Sequence, residues 1–182
     1  MIQELELNNQ DTIIKLCNEV KILIPSITEK GWHKKFICNE NNRYIHPHKI
    51  TFRNLNILLK EVAILMEKYN FDINYDELKD TIIEFHYANT KSKNKIEYPI
   101  FSIHNDDHNE IIVNTLICYL DVQCEDGELA FYDKDDIITK KISIKSFTPN
   151  FTKIAIFSGN LKHNAMPIKN GHRYAISFQI PR

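Results

Sequence analysis

Residues 101–110 read FSIHNDDHNE, two histidines and three acids directly after an alternating apolar stretch. In an extended chain, successive side chains point to opposite faces. Ser102, His104 and Asp106 therefore share one face of the predicted strand, and an imidazole and a carboxylate can reach a common point. A second isolated histidine, His163, follows the turn Ser158-Gly159-Asn160. Arg173 opens the last strand-like run, where Arg173, Ala175, Ser177 and Gln179 alternate with Tyr174, Ile176, Phe178 and Ile180. Two imidazoles and one carboxylate form the facial triad that suits non-haem Fe(II) and leaves coordination positions open. Arginine is scarce here (Arg43, Arg53, Arg173, Arg182). An inward-facing guanidinium needs an anion, and it grips a carboxylate through two parallel hydrogen bonds. A metal with such an arginine behind it implies a small diacid, chelated at one end and clamped at the other.

Other polar groups nearby read differently. Asp107, His108 and Glu110 lie past the strand and read as a solvated turn; a register using His108 would break the strand's alternation. His172 precedes the arginine and is expected to face away from it as a turn residue. His46 and His48 flank Pro47 with a spacing open to metal, but no partner cluster accompanies them.

The elements that must position these groups fall into two parts. Residues 11–23, DTIIKLCNEVKIL, place Ile13, Ile14, Cys17, Val20 and Leu23 toward one helical face, with Asp11 as N-cap and Pro25 beyond the end. The clearest helix spans residues 51–70, with Phe52, Leu55, Leu59, Val62, Met66 and Tyr69 as an apolar stripe and Thr51 as cap. Asn74 and Glu77 are placed like a capping box. From residue 81 the period changes to two. Seven short strand-like runs follow: TIIEFHYA, IEYPIFSIH, IIVNTLICYLDV, GELAFYD, KKISIKSF, KIAIFSG and RYAISFQI. The expectation is α+β: a helical part over 1–80 packed on an antiparallel β-core over 81–182, as one structural domain.

The bulk properties bound the function. The 182 residues carry 23 Lys+Arg against 24 Asp+Glu, a formal net charge of -1. No bulk field draws such a chain to nucleic acid or anionic lipid. No apolar run is long enough to span a membrane, and the acidic start MIQELELNN lacks a signal peptide's pattern. Cys17, Cys38, Cys118 and Cys124 show no paired zinc spacing and fit free thiols in a reducing cytoplasm.

The order His104-x-Asp106, then His163, then Arg173 ten residues later resembles the Fe(II)- and 2-oxoglutarate-dependent oxygenases, most of all their prolyl 4-hydroxylase-like branch. NTLICYLD followed by EDGELAFYD is similar to that branch's apolar strand ending in Tyr-Leu-Asn and its following Gly-Gly-x-Leu. IAIFSGNLKH resembles the strand leading to the distal histidine, and GHRYAISFQI the oxoglutarate-binding strand. The resemblance spans roughly residues 82–181 and implies a double-stranded β-helix, a jelly-roll or cupin-like core with N-terminal buttressing helices. It implies His104, Asp106 and His163 as iron ligands, Arg173 as partner of the far oxoglutarate carboxylate, and Tyr119 and Thr115 as further cosubstrate contacts. Fe(II), 2-oxoglutarate and O2 are the implied requirements, and ascorbate stays open. Tyr87 and Tyr98 border the basic loop NTKSKNK (89–95) and are candidate substrate contacts, with that loop as a candidate lid. The segment around His46 and His48 is a candidate lining of the substrate entrance. Three positions depart from the pattern: Ala175 where many relatives carry a hydroxyl, a single Gly127 where two glycines are common, and Asp121 for asparagine.

The activity implied is hydroxylation of a C–H bond, with a prolyl or other amino-acid residue, in a peptide or free, as the leading substrate class. The expected partner is a small molecule, peptide or protein. Nucleic-acid demethylation by the same chemistry is an alternative, against which stand the unbiased charge and Gln179, where that branch has a second arginine. Halogenating relatives lack the metal carboxylate, which Asp106 supplies here. A sensor that binds metal or oxoglutarate without turnover is the third reading.

Overall fold

The computed structural model describes residues 2–8, 11–12, 14–16, 18, 32–37, 53–79, 81–89, 102–107, 113–148 and 151–181. The strands among them are β1 (Ile2–Leu7), β2 (Trp32–Ile37), β3 (Ile82–Asn89), β4 (Val113–Asp126), β5 (Leu129–Tyr132), β6 (Ile138–Ile142), β7 (Thr152–Ser158), β8 (His163–Ala165) and β9 (Ile168–Pro181). They form a larger sheet ordered β1-β7-β4-β9-β3-β2 and a smaller one ordered β6-β5-β8. The pairings are antiparallel, and β4 with β9 makes the long central pair, from Val113↔Pro181 to Asp126↔Ile168.

The alternation in β9 sorts its side chains between two cores. Tyr174, Ile176, Phe178 and Ile180 join Leu116, Cys118 and Leu120 of β4 beneath the helix Arg53–Lys68. Ala175 belongs to a second cluster with Tyr119, Phe131, Phe157 and Leu129, drawn from both sheets. Arg173, Ser177 and Gln179 share Ala175's face and are buried. Thus one face of the larger sheet is covered by helices and the other looks into the roll, the α+β jelly-roll plan.

The long helix forms for the reason its spacing gives: Leu55, Leu58, Leu59, Val62, Leu65 and Met66 all lie in the first core. The stripe stops at Met66, because Tyr69 is largely exposed. Asn70 then adopts a left-handed φ of 58°. Its N–H donates to Glu67 O at 3.0 Å and that of Phe71 to Met66 O at 2.9 Å, the paired bonds of a Schellman stop. In the helix Tyr75–Lys79 the capping box is complete: Asn74 N donates to Glu77 Oε2 at 2.8 Å and Glu77 N to Asn74 Oδ1 at 3.0 Å. No helix among the described residues is long and apolar enough to cross a membrane.

Several expectations need correction. The first part is not helical throughout, since β1 pairs with β7 and β2 with β3. In β1, Leu5 and Leu7 bury into the first core and alternate with Glu4 and Glu6. Between residues 11 and 18 the described residues are helical, but Thr12 and Leu16, four apart, are buried and Ile14 is exposed. The predicted strand ending at 104 is reduced, in its described part, to a single bridge at His104. The run from Lys140 is shifted, since β6 begins at Ile138 and ends at Ile142. β8 and the first residues of β9, from Ile168 to His172, are strands beyond the seven expected runs.

β1 is held by its acids. Glu4 Oε2 lies 2.8 Å from the Nζ of Lys153, which is itself buried. Glu6 accepts hydrogen bonds from Ser146 Oγ at 2.5 Å, Thr148 Oγ1 at 2.6 Å and Phe147 N at 2.6 Å. The Ser146 and Thr148 hydroxyls, followed by the backbone donors, hold the Glu6 carboxyl at about 2, below its ordinary 4.5. A depressed folded-state pKa adds stability that is full above the unfolded value and lost as pH falls through the folded one. Glu6→Gln is therefore expected to unfold at lower temperature than the wild type at pH 7. The gap should narrow between pH about 4.5 and about 2, as read by thermal melts across pH.

At Gly171, φ is +76° and an added Cβ would stand 1.7 Å from the carbonyl oxygen of Gln123 on β4. Neither can relax without moving the central strand pair. Gly171→Ala is expected to cost about 3 kcal/mol or more in a denaturant titration.

Candidate active site

The two histidines meet because their backbones pair. His104 N donates to His163 O at 3.1 Å and His163 N to His104 O at 2.8 Å, which sets the rings 4.4 Å apart. Each ring also bonds a carbonyl two residues earlier: His104 Nδ1 donates to Ser102 O at 2.8 Å, His163 Nδ1 to Leu161 O at 2.9 Å. A carbonyl can only accept, so each Nδ1 carries a proton, and in the neutral ring the lone pair then sits on Nε2. Those two Nε2 atoms converge on Asp106, at 3.7 Å from Oδ1 and 3.6 Å from Oδ2 respectively. The ligand atoms of all three lie within 4.8 Å of one another, and no other such group occurs among the described residues. Burial, against Phe157 and Phe131, pushes the His163 imidazole below its ordinary pKa; the Asp106 charge opposes this. A neutral imidazole is the form that binds a metal.

Asp106 is held from several sides. Its N–H donates to Gly159 O at 2.7 Å. Thr115 Oγ1 donates to Oδ2 at 2.5 Å, and Gln179 Nε2 reaches Oδ1 at a longer 3.4 Å. Gly159 has to be glycine for this approach, since a Cβ there would lie 2.5 Å from Val113 Cγ2 and 2.7 Å from Asp107 Oδ1. Asp107 turns to its own loop, accepting from Val113 N at 3.1 Å. Thus Thr115, expected beside the cosubstrate, has Asp106 as its hydroxyl's partner.

Arg173 is 5% exposed. Its Nη1 donates to the carbonyls of Gly127, at 2.5 Å, and Met166, at 3.2 Å. Among the described residues it makes no ion pair with a carboxylate. Burial lowers its pKa and burial raises that of Tyr119, each opposed by the other's charge. Tyr119 pairs in register with Ala175 just before a bulge at Leu120, so it shares the roll-facing side of the sheet with the arginine's strand. A buried, permanently charged guanidinium whose bonds run to neutral carbonyls has capacity for an anion.

The remaining candidates separate. His172 is not a turn residue: it pairs with Gln123 within β9, and its Nε2 lies 2.9 Å from Asp121 Oδ2. Tyr87 has its backbone in β3, opposite Tyr174, and its side chain lies outside the described residues. Tyr98, His108, Glu110, His46, His48 and the loop after Asn89 also lie outside them. The sequence reading missed Gln179 and Thr115 as partners of Asp106. Their shared face was legible, but their register was not.

An antiparallel β-roll with two histidines and one carboxylate at one point offers a candidate metal site of the facial-triad type, and the donor set fits Fe(II). A family model for the 2OG-Fe(II) oxygenase superfamily matches residues 86–180, more than half of the chain. The chain belongs to that superfamily of 2-oxoglutarate-dependent, non-haem iron dioxygenases. Its fold is similar to that of a Pseudomonas putida prolyl-4-hydroxylase, with a TM-score of 0.65 at 12% identity over 100% of this chain and 92% of that one. It is also similar to a Trichoplax adhaerens prolyl hydroxylase in complex with a hypoxia inducible factor peptide fragment, with a TM-score of 0.59 at 15% identity over 98% and 83%. A third similar fold is the viral collagen prolyl hydroxylase of Paramecium Bursaria Chlorella virus-1, with a TM-score of 0.53 at 11% identity over 98% and 94%. No curated protein matches the sequence.

Proposed function

We propose that this chain hydroxylates a C–H bond of a prolyl or other amino-acid residue, carried in a peptide or free. The observation that carries the reading is the convergence of His104 Nε2, His163 Nε2 and Asp106 inside a roll that also holds a buried arginine without a carboxylate partner among the described residues. In this reading His104, Asp106 and His163 hold Fe(II), and Arg173 with Tyr119 takes the far carboxylate of 2-oxoglutarate. With cosubstrate and O2, the bound iron supplies the oxidising power for the C–H bond. The chain's own work is to bind and orient, and the carbonyls of Ser102 and Leu161 serve it by accepting the Nδ1–H bonds that fix the tautomer and turn each Nε2 to the site. The peptide held by the Trichoplax neighbour supports a peptide substrate. Demethylation of nucleic acid is disfavoured by the net charge of -1 and by Gln179, whose amide is directed at Asp106. Cys118 and Cys124 are buried thiols outside any disulfide, which fits a reducing cytoplasm.

The test is succinate release from 2-oxoglutarate with Fe(II) and ascorbate, in the presence of proline-containing peptides, free amino acids or oligonucleotides. Stimulation by peptide or amino acid, with a product heavier by one oxygen, supports the proposal. Stimulation by oligonucleotide alone, or binding without turnover, rejects it.

A further inference from the structure

Thr115 and Gln179 are directly paired across the central strands β4 and β9, so their side chains stand next to each other on the face that looks into the roll. Asp106 comes from an irregular segment, outside any strand, and is 6% exposed. Its carboxylate lies over that pair: Thr115 Oγ1 donates to Oδ2 at 2.5 Å and Gln179 Nε2 reaches Oδ1 at 3.4 Å. Both donors are buried, Thr115 at 2% and Gln179 at 9%. Without them, a loop-borne carboxylate beside two imidazoles would be free to rotate about its χ angles and to chelate with both oxygens.

We propose that Thr115 is a positioning residue for the metal centre. Its hydroxyl occupies Oδ2 and so leaves Asp106 to bind the metal through Oδ1 alone, and Gln179 steadies Oδ1 from the neighbouring strand. A carboxylate restricted to one oxygen keeps a further coordination position open, which two-oxygen chelation would fill. The rigid central strand pair thereby sets the geometry of a ligand that its own loop does not fix. The inference rests on the assignment of Asp106 as a metal ligand and deepens it.

The test is a Co(II) titration of the full chain, following the d–d absorption, with Fe(II) affinity measured under anaerobic conditions. Loss of a partner that orients a ligand typically costs about 10–100-fold in metal affinity. Thr115→Val, which keeps the shape and removes the donor, is expected to weaken Co(II) binding about tenfold or more and to change the d–d spectrum. Thr115→Ser, which restores a hydroxyl, should return both to near the wild-type values. Gln179→Met should weaken binding by a smaller factor and reads the same claim if the valine variant does not fold. Wild-type affinity and spectrum in Thr115→Val overturn the inference, as does an equal loss in the valine and serine variants, which would mean packing alone. Should Thr115→Val fail to fold, wild-type affinity and spectrum in Gln179→Met overturn it. Asp106→Ala is measured alongside: if it binds Co(II) as the wild type does, the ligand assignment itself fails, whereas loss there with an unaffected Thr115→Val defeats this inference alone.

Discussion

Asp106→Ala is expected to lower Fe(II)-dependent succinate formation by more than about 100-fold, exceeding the loss typical of removing a mere supporting partner. The carboxylate is the only anionic group in the cluster; without it, two neutral imidazoles offer the cation no charge. The domain itself should stay folded, because both hydrophobic cores are built without Asp106. The main structural cost is the stranded Thr115 hydroxyl, about 1–3 kcal/mol for a buried group that loses its acceptor. Asp106→Asn separates the two effects. The amide oxygen can still accept from Thr115, so stability should recover while turnover stays low. Circular dichroism and thermal melts, read beside the succinate assay, distinguish loss of chemistry from loss of fold.

The second large effect is at Arg173. Arg173→Lys is expected to raise the KM for 2-oxoglutarate about 30-fold or more while kcat at saturating cosubstrate changes far less. The guanidinium is fixed by the carbonyls of Gly127 and Met166 on its Nη1 side, which leaves the rest of the planar fork for the carboxylate that the proposed function assigns to it. An ammonium cannot make two parallel bonds, and a charged hydrogen bond is worth about 1.5–3 kcal/mol, or roughly 10–150-fold. Burial adds to the loss. Arginine keeps its charge in so dry a setting, whereas a lysine there would be driven toward its neutral form. If Arg173→Lys changed kcat and left KM alone, the arginine would be acting on the chemical step and not on cosubstrate binding.

The sequence made the inner face of β9 legible from alternation alone. Arg173, Ala175, Ser177 and Gln179 are on one side and Tyr174, Ile176, Phe178 and Ile180 on the other, and each set is buried against a different cluster. The long helix and the Asn74–Glu77 cap were equally plain, since local spacing and capping chemistry carry that information. What stayed hidden depends on pairing between distant segments. β1 looked like a charged N-terminal run because Glu4 and Glu6 find Lys153 and the Ser146–Thr148 turn more than a hundred residues away. Phase alone did not show that Thr115 opposes Gln179, and so the cosubstrate role given to Thr115 overlooked the carboxylate beneath which it lies. For the same reason the turn expected at His172 is absent: the reach of β9 back to Ile168 makes it a strand partner of Gln123.

The most direct measurement is an anaerobic titration of the Fe(II)-loaded chain with 2-oxoglutarate, followed in the visible range. A keto acid chelating iron through its carboxylate and carbonyl oxygens gives a metal-to-ligand charge-transfer band that neither component shows alone. The expected result is a saturable band at one equivalent of each, absent in Asp106→Ala and requiring far more cosubstrate in Arg173→Lys. A wild-type chain that binds Fe(II) and yields no band, or a band undiminished in Asp106→Ala, would contradict the placement of iron and cosubstrate at residues 104, 106, 163 and 173.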